Sequence, residues 1–139
     1  MSNDHAALMR LVFDYADAVV ARDAEAWAAT WAPDAVWTLG PERVFTGRDA
    51  IASQWRDSIE RVAHVNQLYL SNDYAVDGDT AVGRVQLVEL VRMPDGSAST
   101  LAGHYDDSFV RIDGRWQFAS RSLTIRYRGA PDLSGTFFP

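Results

Sequence analysis

The chain has 139 residues, of which 47% are hydrophobic and 23% charged, and a net charge of −6. That composition fits a single globular domain over residues 1–139, long enough to bury about two-thirds of its unfolded surface. The lack of cysteine excludes disulfides and thiolate chemistry, three histidines leave little to bind a metal, and the acidity excludes a basic stripe for nucleic acid.

The polar start Met1 to His5 does not read as a signal peptide, and no apolar run approaches the roughly 20 residues of a membrane span. A cytoplasmic protein with no membrane partner is expected. From Ala6 to Arg22, Leu8, Leu11, Val12, Tyr15 and Val19 recur at helical spacing. Met9, Phe13, Ala16 and Val20 widen this apolar sector, so the helix is expected to be covered on more than one side. Asp23 is a good N-cap for a second helix over Ala24 to Ala32, which Pro33 would stop. Ala35 to Leu39 reads as a strand, Gly40-Pro41 as a turn, and Arg43 to Thr46 as a strand pairing back. Gly47-Arg48-Asp49 opens a third helix, about Ala50 to Arg61, with Ile51, Trp55, Ile59 and Val62 on its buried face.

Beyond residue 66 the apolar period falls to two, and turn signals recur at Asp77-Gly78-Asp79, Pro94-Asp95-Gly96-Ser97 and Asp113-Gly114. This predicts a four-stranded meander with strands near 67–76, 79–93, 98–112 and 115–128. Strands of that length twist and coil, and three helices are available to fill the curve. The expected class is α+β, a cone of helices packed in a strongly curved antiparallel sheet. Phe137 and Phe138 in the tail are expected to dock on the body.

The most chemically loaded stretch runs from Gly103 to Trp116. Alternation puts Tyr105, Asp107 and Phe109 on one face and His104, Asp106 and Ser108 on the other, so ionisable groups enter whichever face is buried. Five short motifs occur in order: Tyr15 with Arg22-Asp23 and Trp27; Pro33 to Trp37; Gly47 to Ile51; Val76 to Ala81; and Asp113 to Trp116. Together they resemble the SnoaL-like branch of the nuclear transport factor 2-like superfamily, which includes polyketide cyclases, scytalone-type dehydratases and ketosteroid-isomerase-like proteins. The similarity covers nearly the whole chain and implies the cone fold.

The resemblance also implies roles. Asp107 stands six residues before the hairpin aspartate Asp113, the place of the proton-transfer aspartate in SnoaL-like cyclases, and an apolar cone would raise its pKa toward acid-base use. The alternative is that Asp107 pairs with Arg84 or Arg121. His104 reaches the same face only if a bulge breaks the alternation. His64 lies near the expected cone mouth, although alignment through Asn72 or Gly78 puts Gln67 or Leu68 where some dehydratases keep a histidine. Tyr15 matches a tyrosine that holds a substrate oxygen in dehydratases of this branch, and Val20 stands where they carry an acid. Catalytic candidates are therefore Asp107, Tyr15, His64 and His104. Arg121, Tyr105, Val20, Trp37 and Trp55 are expected to contact substrate.

Two functions follow. One is a lyase or isomerase, of dehydratase or cyclase type, that needs no metal, nucleotide or other cofactor and acts on a small cyclic or polycyclic carbonyl compound. The other is a non-catalytic binding or structural protein of the same fold. The expected partner is a small hydrophobic or aromatic ligand. Homodimers or higher homo-oligomers are compatible with both, because Val82, Val88 and Leu90 place apolar area on the sheet's second face.

Overall fold

A computed structural model describes residues 3–139, so Met1 and Ser2 of the polar N-terminal segment lie outside the described residues. The chain order is α1 (Asp4–Ala21), α2 (Ala24–Ala29), β1 (Trp31–Thr38), β2 (Val44–Thr46), α3 (Arg48–Ile59), β3 (His64–Asp77), β4 (Thr80–Arg92), β5 (Ala98–Ile112), β6 (Arg115–Gly129) and β7 (Thr136–Phe137). The helices lie against a large curved sheet ordered β2-β1-β6-β5-β4-β3, with β7 also on β6. The meander β3 to β6 is antiparallel throughout, while β1 joins β6 in parallel. No described helix is long and apolar enough to cross a membrane.

The second helix is shorter than its sequence suggests. It ends at Ala29, where Thr30 donates its hydroxyl to the Trp27 carbonyl, and the chain is already a strand at Trp31. Pro33 acts through its predecessor: the residue before a proline avoids helical backbone, and both Trp31 and Ala32 are fully buried as strand residues. The proline falls where the β1–β6 register shifts between Trp31 and Val36, so its missing N–H interrupts no ladder bond.

Helix α1 is covered on one side only. It buries Leu8, Leu11, Val12, Tyr15, Ala16, Ala18 and Val19, whereas Met9, Phe13 and Val20 remain exposed. Val20 therefore turns away from the interior, contrary to its expected place against substrate. In the tail, the Phe137 ring lies 4.6 Å from Tyr127, yet Phe137 and Phe138 stay exposed. The tail is held mainly through backbone, by β7 pairing with Tyr127 and Arg128 and by the Gly135 N–H donating to the Tyr127 hydroxyl.

The core is aromatic where the helices meet the sheet. Trp27 stacks on Trp55 at 4.7 Å and packs edge-on to Trp31 and Trp37, while Tyr15 meets Trp27, Trp31 and Phe118. Each such pair adds about 0.5–1.5 kcal/mol beyond its buried area. This block fills one end of the cone and leaves space at the other, beside Trp37 and Trp55.

Candidate active site

That space is a cavity of about 190 Å³ between α1, α3 and the inner face of the sheet. Its apolar wall includes Val19, Trp37, Trp55, Leu87, Leu101 and Leu123, and its polar lining is Tyr15, Ser58, Gln67, Glu89, Tyr105, Arg43 and Arg128. An apolar cavity of roughly 150 Å³ holds benzene. The enclosed part therefore suits one ring with a small substituent, short of the polycyclic ligand allowed by the sequence.

Asp107 points inward and is buried, but it does not line the cavity. It faces Arg121 across β5–β6, and the guanidinium grips it with two bonds, Nε to Oδ1 at 2.8 Å and Nη2 to Oδ2 at 3.2 Å. Arg121 is itself fully buried, with its guanidinium 3.9 Å from the centre of the Tyr105 ring, 4.6 Å from Tyr15 and 4.4 Å from Phe118. These rings shut the ion pair off from the cavity. Burial pushes the Asp107 carboxyl up, and Arg121 opposes that with its charge and hydrogen bonds. The fork engages both carboxylate oxygens, and the lone pairs it leaves over do not face the cavity, whose lining excludes Asp107. Of the two sequence readings of Asp107, the geometry matches the pair with Arg121, and Arg121 is correspondingly unable to reach a substrate.

Neither histidine faces the cavity. His104 is buried on the opposite side of β5 from Tyr105, with Nε2 3.5 Å from Asp106, which also accepts from Arg84. The β5–β6 register does shift, between Ala102 and Gly103 and again between Ser108 and Phe109. Neither bulge turns His104 inward, because both adjust the pairing without changing the alternation of Tyr105, Asp107 and Phe109. Gly103 serves the first bulge: a Cβ there would lie 2.0 Å from the Thr124 carbonyl oxygen. His64 opens β3 on the exposed side, away from the cavity lining.

The carboxyl that does line the cavity is Glu89 on β4. Its Oε2 accepts from Gln67 Nε2 at 2.7 Å; Gln67 Oε1 accepts from the Tyr69 hydroxyl at 2.9 Å; and Tyr69 accepts from Arg121 Nη1 at 3.3 Å. Every donor in this chain points from the buried arginine toward Glu89, which fixes the carboxyl in place. Oε1 has no protein partner among the described residues and is open to the cavity. Burial raises Glu89 above its ordinary carboxyl value, against the weaker pull of Gln67 and Arg128. Glu89 shares the alternation of Val85 and Leu87, so its inward direction was available from the sequence.

Tyr105 and Tyr15 supply hydroxyls beside it. Tyr105 accepts from Trp37 Nε1 at 3.2 Å, which leaves its own proton for another acceptor. Burial first, and Glu89 among the weaker causes, raise the Tyr105 hydroxyl, while burial and the neighbouring Tyr105 and Tyr69 raise Tyr15 further. Both remain protonated donors at neutral pH. The site thus pairs one carboxyl of elevated pKa with phenol donors in an apolar enclosure. Among the described residues, no group of three or more histidine, aspartate or glutamate side chains could hold a metal.

The sequence profile of the SnoaL-like domain matches residues 1–122. No curated protein sequence gives a match. Among solved structures, a protein from Novosphingobium aromaticivorans provisionally named a scytalone dehydratase superposes with a TM-score of 0.87 at 22% identity, over 96% of this chain and 91% of that one. The hexachlorocyclohexane dehydrochlorinase LinA-type3 from Novosphingobium barchaimii gives 0.83 at 21% identity, over 98% and 94%. A second Novosphingobium aromaticivorans protein, provisionally named an aromatic ring hydroxylase, gives 0.84 at 25% identity, over 96% and 94%. These likenesses establish the fold.

Proposed function

The chain belongs to the SnoaL-like domain family, and from that premise we propose that it is a cofactor-independent lyase or isomerase that moves a proton next to a carbonyl group. The carrying observation is Glu89: a half-buried, oriented carboxyl with one oxygen open to an apolar cavity that also presents the Tyr105 and Tyr15 hydroxyls. In this reading the Glu89 carboxylate removes a proton from the carbon beside the carbonyl. Tyr105, assisted by Tyr15, donates a hydrogen bond to the oxygen as it gains enolate charge. Glu89 then returns the proton at a second carbon, giving an isomer, or to a departing hydroxyl, giving elimination of water. A raised pKa makes the Glu89 carboxylate the stronger base for the first transfer, and the acid form it leaves carries the proton to the second site. That a dehydrochlorinase and a protein named for dehydration share the fold adds support for elimination.

A carrier function is the second reading, favoured by the outward His104 and the locked Asp107, which leave the cavity without an acid-base dyad. Self-association belongs to both readings, through the sheet's outer face, where Leu68, Leu70, Val82 and Leu90 stay exposed.

Proton exchange in heavy water tests the enzyme reading. With cyclohexanone and 2-cyclohexenone followed by NMR, the wild type is expected to accelerate exchange beside the carbonyl, and Glu89→Gln to lose about 10²–10⁴ of that rate. Exchange that is unchanged in Glu89→Gln would remove Glu89 from the mechanism. Ketones that bind without exchanging would favour the carrier.

A further inference from the structure

Two guanidinium groups stand at the cavity's edge with nothing assigned to them. Arg43, in the β1–β2 connection, and Arg128, near the end of β6, both line the cavity, and both are exposed where Tyr15, Trp37, Leu87 and Tyr105 are buried. They therefore form its rim, with the tyrosines and tryptophan as its floor. Neither side chain makes a hydrogen bond or ion pair among the described residues. Arg10 is held by Asp14, Arg22 by three carbonyls, Arg48 by the Trp31 carbonyl, Arg84 by Asp106, Arg111 by Asp4 and Asp79, and Arg121 by Asp107; of the arginines without such a partner among the described residues, Arg43 and Arg128 are the two that line the cavity. Among the described residues Glu89 is the only carboxyl lining the same cavity, so the lining keeps an excess of positive charge even when Glu89 is ionised, in a chain whose net charge is −6.

We infer that the ligand is a carboxylate: a compound with one apolar ring or short apolar body in the cavity, and an anionic group that leaves the mouth between Arg43 and Arg128. This rests on the cavity being the ligand site, and it deepens the proposed function by naming a substrate class, a keto or hydroxy acid in place of a neutral ketone. Charge at the rim fixes which end enters first. The ring and its carbonyl are thereby turned into the cavity that Glu89 and Tyr105 line, while the carboxylate remains partly hydrated and bound by charge-assisted bonds. A neutral ring has no such polarity and can enter either way round.

Matched acids and amides test this without knowledge of the natural substrate. Benzoate, trans-cinnamate and 3-phenylpropanoate, each against its primary amide, would be titrated by calorimetry into the wild type and into the double variant Arg43→Gln with Arg128→Gln. The acids are expected to bind about tenfold more tightly than the amides, with the preference falling as salt is raised and vanishing in the double variant. Amides that bind as tightly as their acids would overturn the inference and leave the cavity reading standing. So would an acid preference that survives in the double variant, because the rim would then not be its source. If neither acids nor amides bind, both the inference and the cavity as ligand site fall together.

Discussion

Asp107 and Glu89 lie on the inner face of the same sheet, on the adjacent strands β5 and β4, and burial raises the carboxyl of each. Their neighbours make them opposite kinds of acid. Asp107 has both oxygens taken by a fully buried arginine and lies behind a screen of aromatic rings. Glu89 has one oxygen held by an amide and the other open to a cavity. An inward carboxyl is thus a poor marker of chemistry on its own, and the number of committed lone pairs is a better one. The two are also coupled, since Arg121 anchors the donor chain that orients Glu89.

The contrast breaks most visibly in stability. Asp107→Asn leaves Arg121 charged, buried and uncompensated, and is expected to cost about 3–5 kcal/mol in chemical denaturation. A cost within measurement error would mean that the pair is not closed to water. On the cavity side, Tyr105→Phe is expected to fold normally and to lower kcat in proton transfer by about 10²–10³, the usual effect of removing one donor to a developing oxyanion. An effect confined to KM would assign Tyr105 to ground-state binding. Gln67→Leu, which cuts the donor chain next to Glu89, should cost about tenfold in kcat as a positioning change and shift the pH profile to higher pH, because the lost Gln67 hydrogen bond had been holding the Glu89 carboxyl down. A pH profile that does not move would leave Gln67 with a purely structural part. The smallest effect belongs to Asp106, the immediate neighbour of Asp107 on the outer face. Asp106→Asn weakens a half-exposed, solvent-screened contact with Arg84 and a 3.5 Å contact with His104, and its unfolding midpoint should stay near that of the wild type.

Much of this arrangement was legible in the chain. Period-two alternation and the Asp-Gly turns give the meander, and β5 spans residues 98–112 as the alternation predicts. The inward set Tyr105, Asp107 and Phe109 was equally readable. What the linear pattern does not carry is depth. It does not tell that Tyr15 and Tyr105 divide the interior, with Asp107 on one side and the cavity on the other, because that division depends on where rings from α1 and β5 meet. Glu89 was readable by alternation, yet a lone acid in an apolar strand gives no motif, and the Gly103 to Trp116 run draws attention to the wrong wall. Helix α2 shows the same limit in local structure: Pro33 marks a boundary, but burial of Trp31 and Ala32 in the sheet moves that boundary toward the N-terminus.

The central claim is that Glu89, and not Asp107, is the poised carboxyl of this protein, and its charge should therefore oppose folding. Burial raises Glu89 above its ordinary value of 4.5. A group shifted in that direction contributes stability below its ordinary value and loses it as the pH rises through the raised one. The direct measurement is the free energy of unfolding of wild type and Glu89→Gln at about pH 4 and about pH 7.5, which needs no substrate. The account predicts that Glu89→Gln is the more stable protein at the higher pH and that the difference closes at the lower one. A variant that is equally or less stable at the higher pH would show that Glu89 is as settled in its place as Asp107, and would contradict the account.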